Sequence, residues 1–67
     1  MSKPGPRCVV FTEYAQDGTA RLYLIDPVTG RKAPVSGPLR PSDVERRVRQ
    51  VGRQSERSGN RVEYAEG

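Results

Sequence analysis

The 67-residue chain contains no histidine and a single cysteine, Cys8. Without histidine it lacks the commonest general base and the commonest metal ligand. One cysteine closes no internal disulfide and builds no cysteine-rich zinc site; Cys8 reads as a small half-buried hydrophobe, with a reactive thiol as the rarer alternative. No apolar run reaches the roughly 18–20 residues that span a bilayer. Residues 1–7 carry charge with no apolar stretch behind it, which argues against a secretory signal. A Gly-rich phosphate loop is missing too, because Gly5, Gly18, Gly30 and Gly37 stand in turn signals or beside proline. Glu13, Asp17 and Asp26 lie at separate strand and turn positions rather than at metal-ligand spacing. A chain of this length also has little room for an enzymatic pocket beside a core. These absences predict a cytoplasmic, non-enzymatic protein without metal or cofactor, acting by binding.

What is present is positive charge. Twelve Lys and Arg against eight Asp and Glu leave a net +4, and only Lys3 and Lys32 among the twelve are lysine. Arginine is the better bidentate donor to phosphate, carboxylate or guanine, although a GC-rich genome produces the same bias. The charge points to nucleic acid or an acidic protein surface as partner, and not to a membrane.

Hydrophobic residues make up 33% of the chain, enough for one small domain with a thin core. Residues 1–6, with Pro4, Gly5 and Pro6, read as a flexible arm. Residues 7–15 read as a first strand, with Val9, Val10, Phe11 and Tyr14 as β-formers. Asp17-Gly18 is a signal for a two-residue hairpin turn, because both residues tolerate positive φ. Residues 20–26 form the second strand. Asp26-Pro27-Val28-Thr29-Gly30-Arg31 predicts a second hairpin, with proline presetting the turn and Gly30 closing it left-handed. Residues 31–35 give a short third strand, which Pro34 marks as an edge.

The two turns set a register. A two-residue loop at Asp17-Gly18 places Phe11 opposite Leu24 and Glu13 opposite Leu22; Asp26 opposite Arg31 places Leu24 against Ala33 and Leu22 against Val35. One face then collects Val9, Phe11, Leu22, Leu24, Ala33 and Val35. The other collects Val10, Thr12, Tyr14, Arg21, Tyr23, Ile25 and Lys32.

Residues 36–41 read as a connecting loop. Ser42-Asp43-Val44-Glu45 matches a capping box, and Ser58-Gly59-Asn60 is a stop, so a helix is predicted to run to Arg57. Wound at about 100° per residue, Val44, Val48, Val51 and Ser55 fall within a sector of about 60°. Arg46, Arg49, Arg53 and Arg57 fall on the opposite side, and Glu45 and Arg49 stand at pairing distance. The arginine ridge is a solvated outer face or a cationic contact surface. Residues 58–67 form a tail or a short strand, since Val62 and Tyr64 alternate with polar residues. The fold predicted is therefore α+β: a three-stranded antiparallel meander on one C-terminal helix, with a short fourth strand as an option.

The stretch Leu22-Tyr23-Leu24-Ile25-Asp26-Pro27-Val28-Thr29-Gly30-Arg31, followed by a loop and a helix from Ser42, resembles the arm-type DNA-binding domain of phage tyrosine integrases, and more loosely the plant AP2 domain. The likeness covers residues 8–57 and departs from the family in an unusually Arg-rich helix. It implies that the open sheet face enters the major groove, with Thr12, Arg21, Tyr23 and Lys32 on DNA and with Arg7 and Lys3 on an arm near phosphate. Tyr14 shares that predicted face. Two functions follow as expectations: a DNA-binding accessory or regulatory module of phage or mobile-element type, or a phage-type inhibitor or adaptor that occludes a host nucleic-acid-processing or defence complex. The mixed apolar and aromatic face also makes a second copy of the chain a candidate partner.

Overall fold

A computed structural model describes residues 6–67. Strands β1 (Arg7–Tyr14), β2 (Ala20–Ile25) and β3 (Lys32–Leu39) precede the helix α1 (Pro41–Arg57), and β4 (Arg61–Glu66) follows it. They build one four-stranded sheet in the order β3-β2-β1-β4, with α1 packed on one face. Residues 1–5 of the predicted arm, Lys3 among them, lie outside the described residues, while the carbonyl of Pro6, the last residue of that arm, accepts from Arg61 N–H at 2.9 Å.

The first hairpin departs from the sequence reading by one residue. Ala15 N–H donates to the Thr19 carbonyl at 2.8 Å and Gly18 N–H to the Ala15 carbonyl at 3.1 Å, so the loop is Gln16-Asp17-Gly18. Gly18 is left-handed at φ +88°, and no residue other than glycine has positive φ among the described residues. This is a type I turn closed by one left-handed residue, the usual three-residue hairpin. Asp17 is held in it by its own carboxylate, which accepts from Thr19 N–H at 3.0 Å and Thr19 Oγ1 at 2.7 Å. The extra loop residue shifts the register, so Phe11 faces Tyr23, Thr12 faces Leu22 and Val10 faces Leu24. A one-residue slip turns every side chain of a strand over. Val10 and Thr12 are consequently buried beneath the helix, and Val9 and Phe11 lie on the open face.

The second hairpin forms as read. Asp26 N–H donates to the Arg31 carbonyl at 2.9 Å, Gly30 N–H returns to the Asp26 carbonyl at 2.7 Å, and Gly30 has φ +75°. Leu24 faces Ala33 as predicted. Beyond it β3 runs on to Leu39 instead of stopping at Val35, so the predicted loop over residues 36–41 is largely strand. Register shifts interrupt the pairing, and Leu22 faces Ser36 rather than Val35. The surplus residue, Val35, packs against the core. Pro34 and Pro38 donate no ladder bonds, and both sit on the edge strand, where none is needed.

The helix begins one turn signal early. Its N-cap is Arg40, with Pro41 in the first turn and no side-chain cap; Ser42 is already helical, so the predicted capping box does not form. Proline's fixed φ is preorganised for the first helical position, where its missing N–H is no loss. The end is as read: Asn60 N–H reaches the Ser55 carbonyl at 3.0 Å and Gly59 N–H the Glu56 carbonyl at 2.9 Å, with Gly59 at φ +89°. These two bonds make a Schellman stop.

The option of a fourth strand is realised. β4 pairs with β1 in parallel, Cys8 against Val62 and Val10 against Tyr64, and Gly67 N–H extends the ladder to the Thr12 carbonyl at 3.0 Å. Parallel pairing needs a crossover. The 17-residue α1 supplies it, carrying the chain from the β3 edge across the sheet to the β4 edge. Val10 (1% exposed) and Leu22 (0%) of the sheet form the core with Val51 (7%) on the inner face of α1. Leu24, Val35, Leu39, Val48 and Val62 pack around them. The predicted helix seam is the seam observed, but Val10 takes the place expected for Phe11.

Candidate binding face on the open side of the sheet

The face that α1 leaves uncovered presents Arg7, Val9, Phe11 and Glu13 from β1 and Arg21, Tyr23 and Ile25 from β2, with Lys32 and Pro34 from β3 and Arg61, Glu63 and Ala65 from β4. One row crosses all four strands, Pro34–Tyr23–Phe11–Ala65. A second row, Lys32–Ile25–Val9–Glu63, runs beside it. The centre is apolar and aromatic, and the rim carries four cations and two carboxylates.

Phe11 and Tyr23 lie side by side on the two central strands, ring centroids 6.5 Å apart and planes tilted by 49°. The Lys32 ammonium sits over both, 4.3 Å from the Tyr23 centroid and 5.1 Å from that of Phe11. Such cation–π contacts at exposed sites contribute about 0.5–1 kcal/mol. Lys32 Nζ also approaches Glu13 Oε2 at 3.4 Å. Arg21 stands next to Glu13 across the strands and makes no ion pair among the described residues. Arg7 opens β1 instead of lying on an arm, and its guanidinium grips Glu63 at 2.6 and 2.8 Å. That hydrogen bond, with the attendant charge attraction, holds the Glu63 carboxyl below its ordinary range.

The structure brings Arg21, Tyr23 and Lys32 together as the sequence predicts, and Arg7 joins their face from the start of β1 rather than from an arm. Thr12 and Tyr14 do not join them. Thr12 is 4% exposed on the helix side, and Tyr14, on the same side of β1, lines a groove with Pro41, Val44, Val48 and Tyr64. Phe11 and Val9 take their place on the open face. The signal for this exchange is in the loop: Asp17 is followed two residues later by Thr19, whose amide and hydroxyl favour a three-residue turn over the Asp-Gly two-residue turn.

The helix arginines occupy the opposite side of the molecule. Arg46, Arg49, Arg53 and Arg57 are all exposed and line one shallow groove with Gln50 and Gln54. Arg49 pairs with Glu45 at 2.7 Å, as the i,i+4 spacing predicts, while Arg46, Arg53 and Arg57 make no ion pair among the described residues. No group of three His, Cys, Asp or Glu side chains suited to a metal occurs among the described residues. No helix there is long and apolar enough to cross a membrane.

The open face therefore offers ring faces and cations, and the helix a row of guanidinium groups. No family model, no curated protein and no solved structure matches this chain.

Proposed function

We propose that the protein is a small, non-enzymatic DNA-binding module, an accessory or regulatory factor of phage or mobile-element type, that binds through its open sheet face. The observation that carries this reading is the cluster of Lys32 over Tyr23 and Phe11, with Arg21 beside it, in a chain of net charge +4. Cations on flexible stems meet phosphates, and aromatic faces meet bases. The Asp26–Arg31 turn and the order of strands and helix, which resemble the integrase arm-type domain, support the same face. The helix arginines add long-range attraction from the far side.

Binding of fluorescent DNA across a salt series tests the reading. A module that neutralises several phosphates loses affinity with a log–log slope of roughly −0.9 per contact on duplex. The double variant Arg21→Ala and Lys32→Ala lowers both the affinity and the slope. Salt-independent or absent binding overturns the reading.

One observation favours a second reading. Val9 and Ile25 extend the aromatic pair into an apolar stripe framed by the Arg7–Glu63 and Lys32–Glu13 pairs, which is the layout of a protein–protein interface: apolar centre, polar rim. In that case the protein occludes a partner of the nucleic-acid-processing or defence type, and DNA binding is weak and shallow in salt.

A further inference from the structure

Resting on the nucleic-acid reading, we infer that the open face takes single-stranded nucleic acid, with one base stacked on Phe11 and a neighbouring base on Tyr23. Three features of the face select a single strand over a duplex.

The first is width. Four strands at about 4.8 Å spacing make the sheet roughly 14 Å between its outer strand axes, against a major groove about 12 Å wide. The parallel β4 turns a three-stranded ribbon of groove size into a platform that does not enter. The second is chemistry. The centre of the face, Val9, Phe11, Tyr23 and Ile25, has one polar atom on its side chains, the Tyr23 hydroxyl. Duplex DNA presents polar base edges in its grooves and hides the base faces within the stack. An unpaired strand exposes the faces, which is what ring surfaces bind.

The third is spacing. The two ring centroids are 6.5 Å apart, nearly twice the 3.4 Å or so between stacked bases of one strand. The rings are tilted by 49°, so they do not sandwich one base, and each offers its own platform. A strand pulled out of its helical stack matches that separation. Lys32 completes the site. Its ammonium rests over both rings, held otherwise only by a 3.4 Å contact to the exposed Glu13, an interaction of little strength. Incoming bases displace it, and its flexible stem carries the charge to the phosphate that joins them. Arg21, on the adjacent rung and in no ion pair among the described residues, meets the next phosphate.

The test compares a fluorescein-labelled 20-nucleotide oligothymidine with a 20-base-pair mixed-sequence duplex, at one salt concentration, on the intact chain. The expected result is at least tenfold tighter binding of the single strand. Phe11→Leu and Tyr23→Leu each weaken it by roughly tenfold, while circular-dichroism melts confirm that the variants are folded. Phe11→Trp keeps a ring at the position, so it retains binding and its fluorescence is quenched on saturation. Equal or tighter duplex binding that ignores the Leu substitutions overturns this inference and leaves the DNA-binding reading standing. Failure to bind either nucleic acid overturns both, and the apolar stripe then belongs to a protein partner.

Discussion

Gly52 of α1 faces the ring of Tyr64 on β4 so closely that a methyl group at position 52 would collide with the phenol, meeting Cζ at 3.1 Å and Cε1 at 3.3 Å. Glycine inside a helix costs about 1 kcal/mol relative to alanine. Here it lets the helix settle on the one strand that the crossover delivers.

Gly52→Ala is therefore expected to gain nothing in the parent, because the Tyr64 ring must swing away as the helix improves. In a Tyr64→Ala background the same change gains close to the full 1 kcal/mol or so of helix propensity. A double-mutant cycle by urea denaturation reads the coupling between the two residues; additive effects would show that the ring does not rest on Gly52.

The register of the first hairpin has its own test. Thr12, 4% exposed, lies under the helix, so Thr12→Asp buries a charge without a partner and abolishes the cooperative melt of so small a domain. Phe11→Gln, on the open face, leaves a cooperative transition. The opposite pattern would restore the two-residue turn.

Gly30, at φ +75°, has open space where a side chain would go, so only the backbone opposes substitution. Gly30→Val is expected to cost more than about 1 kcal/mol, since a β-branched residue fits the left-handed region poorly. Gly37→Ala is the control: it has the same open space without the positive φ, and its midpoint shift should be smaller.

The turn aspartates contribute to the response to acid beside Glu63. Asp17 is held below its ordinary range by the Thr19 hydroxyl and amide, and Asp26 chiefly by the Val28 amide. A carboxylate whose folded pKa is depressed contributes stability above its unfolded pKa of about 3.9 and loses it as the pH falls through the folded value. Melting temperature should accordingly begin to fall as the pH drops through the unfolded value of about 3.9 and go on falling through the lower folded values. Asp17→Asn and Asp26→Asn should each flatten that drop. An unchanged acid limb in both variants would mean that these turns do not titrate with folding.

The two cationic surfaces separate by substitution. Removing Arg46, Arg49 and Arg53 together should weaken all nucleic acids alike, through lost phosphate attraction, and leave any sequence or strand preference intact. Arg21→Ala, which removes a phosphate contact within the site, should weaken binding more than any single helix substitution and reduce the salt slope by about 1. Loss of binding in the triple variant with a normal Arg21→Ala would move the site to the helix.

Local signals in the chain determined most of the elements. The turn at Asp26–Arg31, the Val44–Val48–Val51–Ser55 seam, the Ser58-Gly59-Asn60 stop and the arginine ridge are all set by interactions within a few residues, and each stands where its signal lies. Arg21, Tyr23 and Lys32 share a face for the same reason, since β2 and the start of β3 are joined by that well-specified turn. The tertiary structure decided what two adjacent signals left in competition. Asp17-Gly18 suits a two-residue loop, but Asp17 with Thr19 closes a three-residue one, and burial of Val10 and Thr12 under a narrow valine seam sends the larger Phe11 outward. Pro41 overrode Ser42 at the helix start in the same way. The fate of Arg61–Glu66 was not local at all: a six-residue alternating segment becomes a strand only when a partner edge exists, and that edge, β1, lies more than fifty residues earlier in the chain.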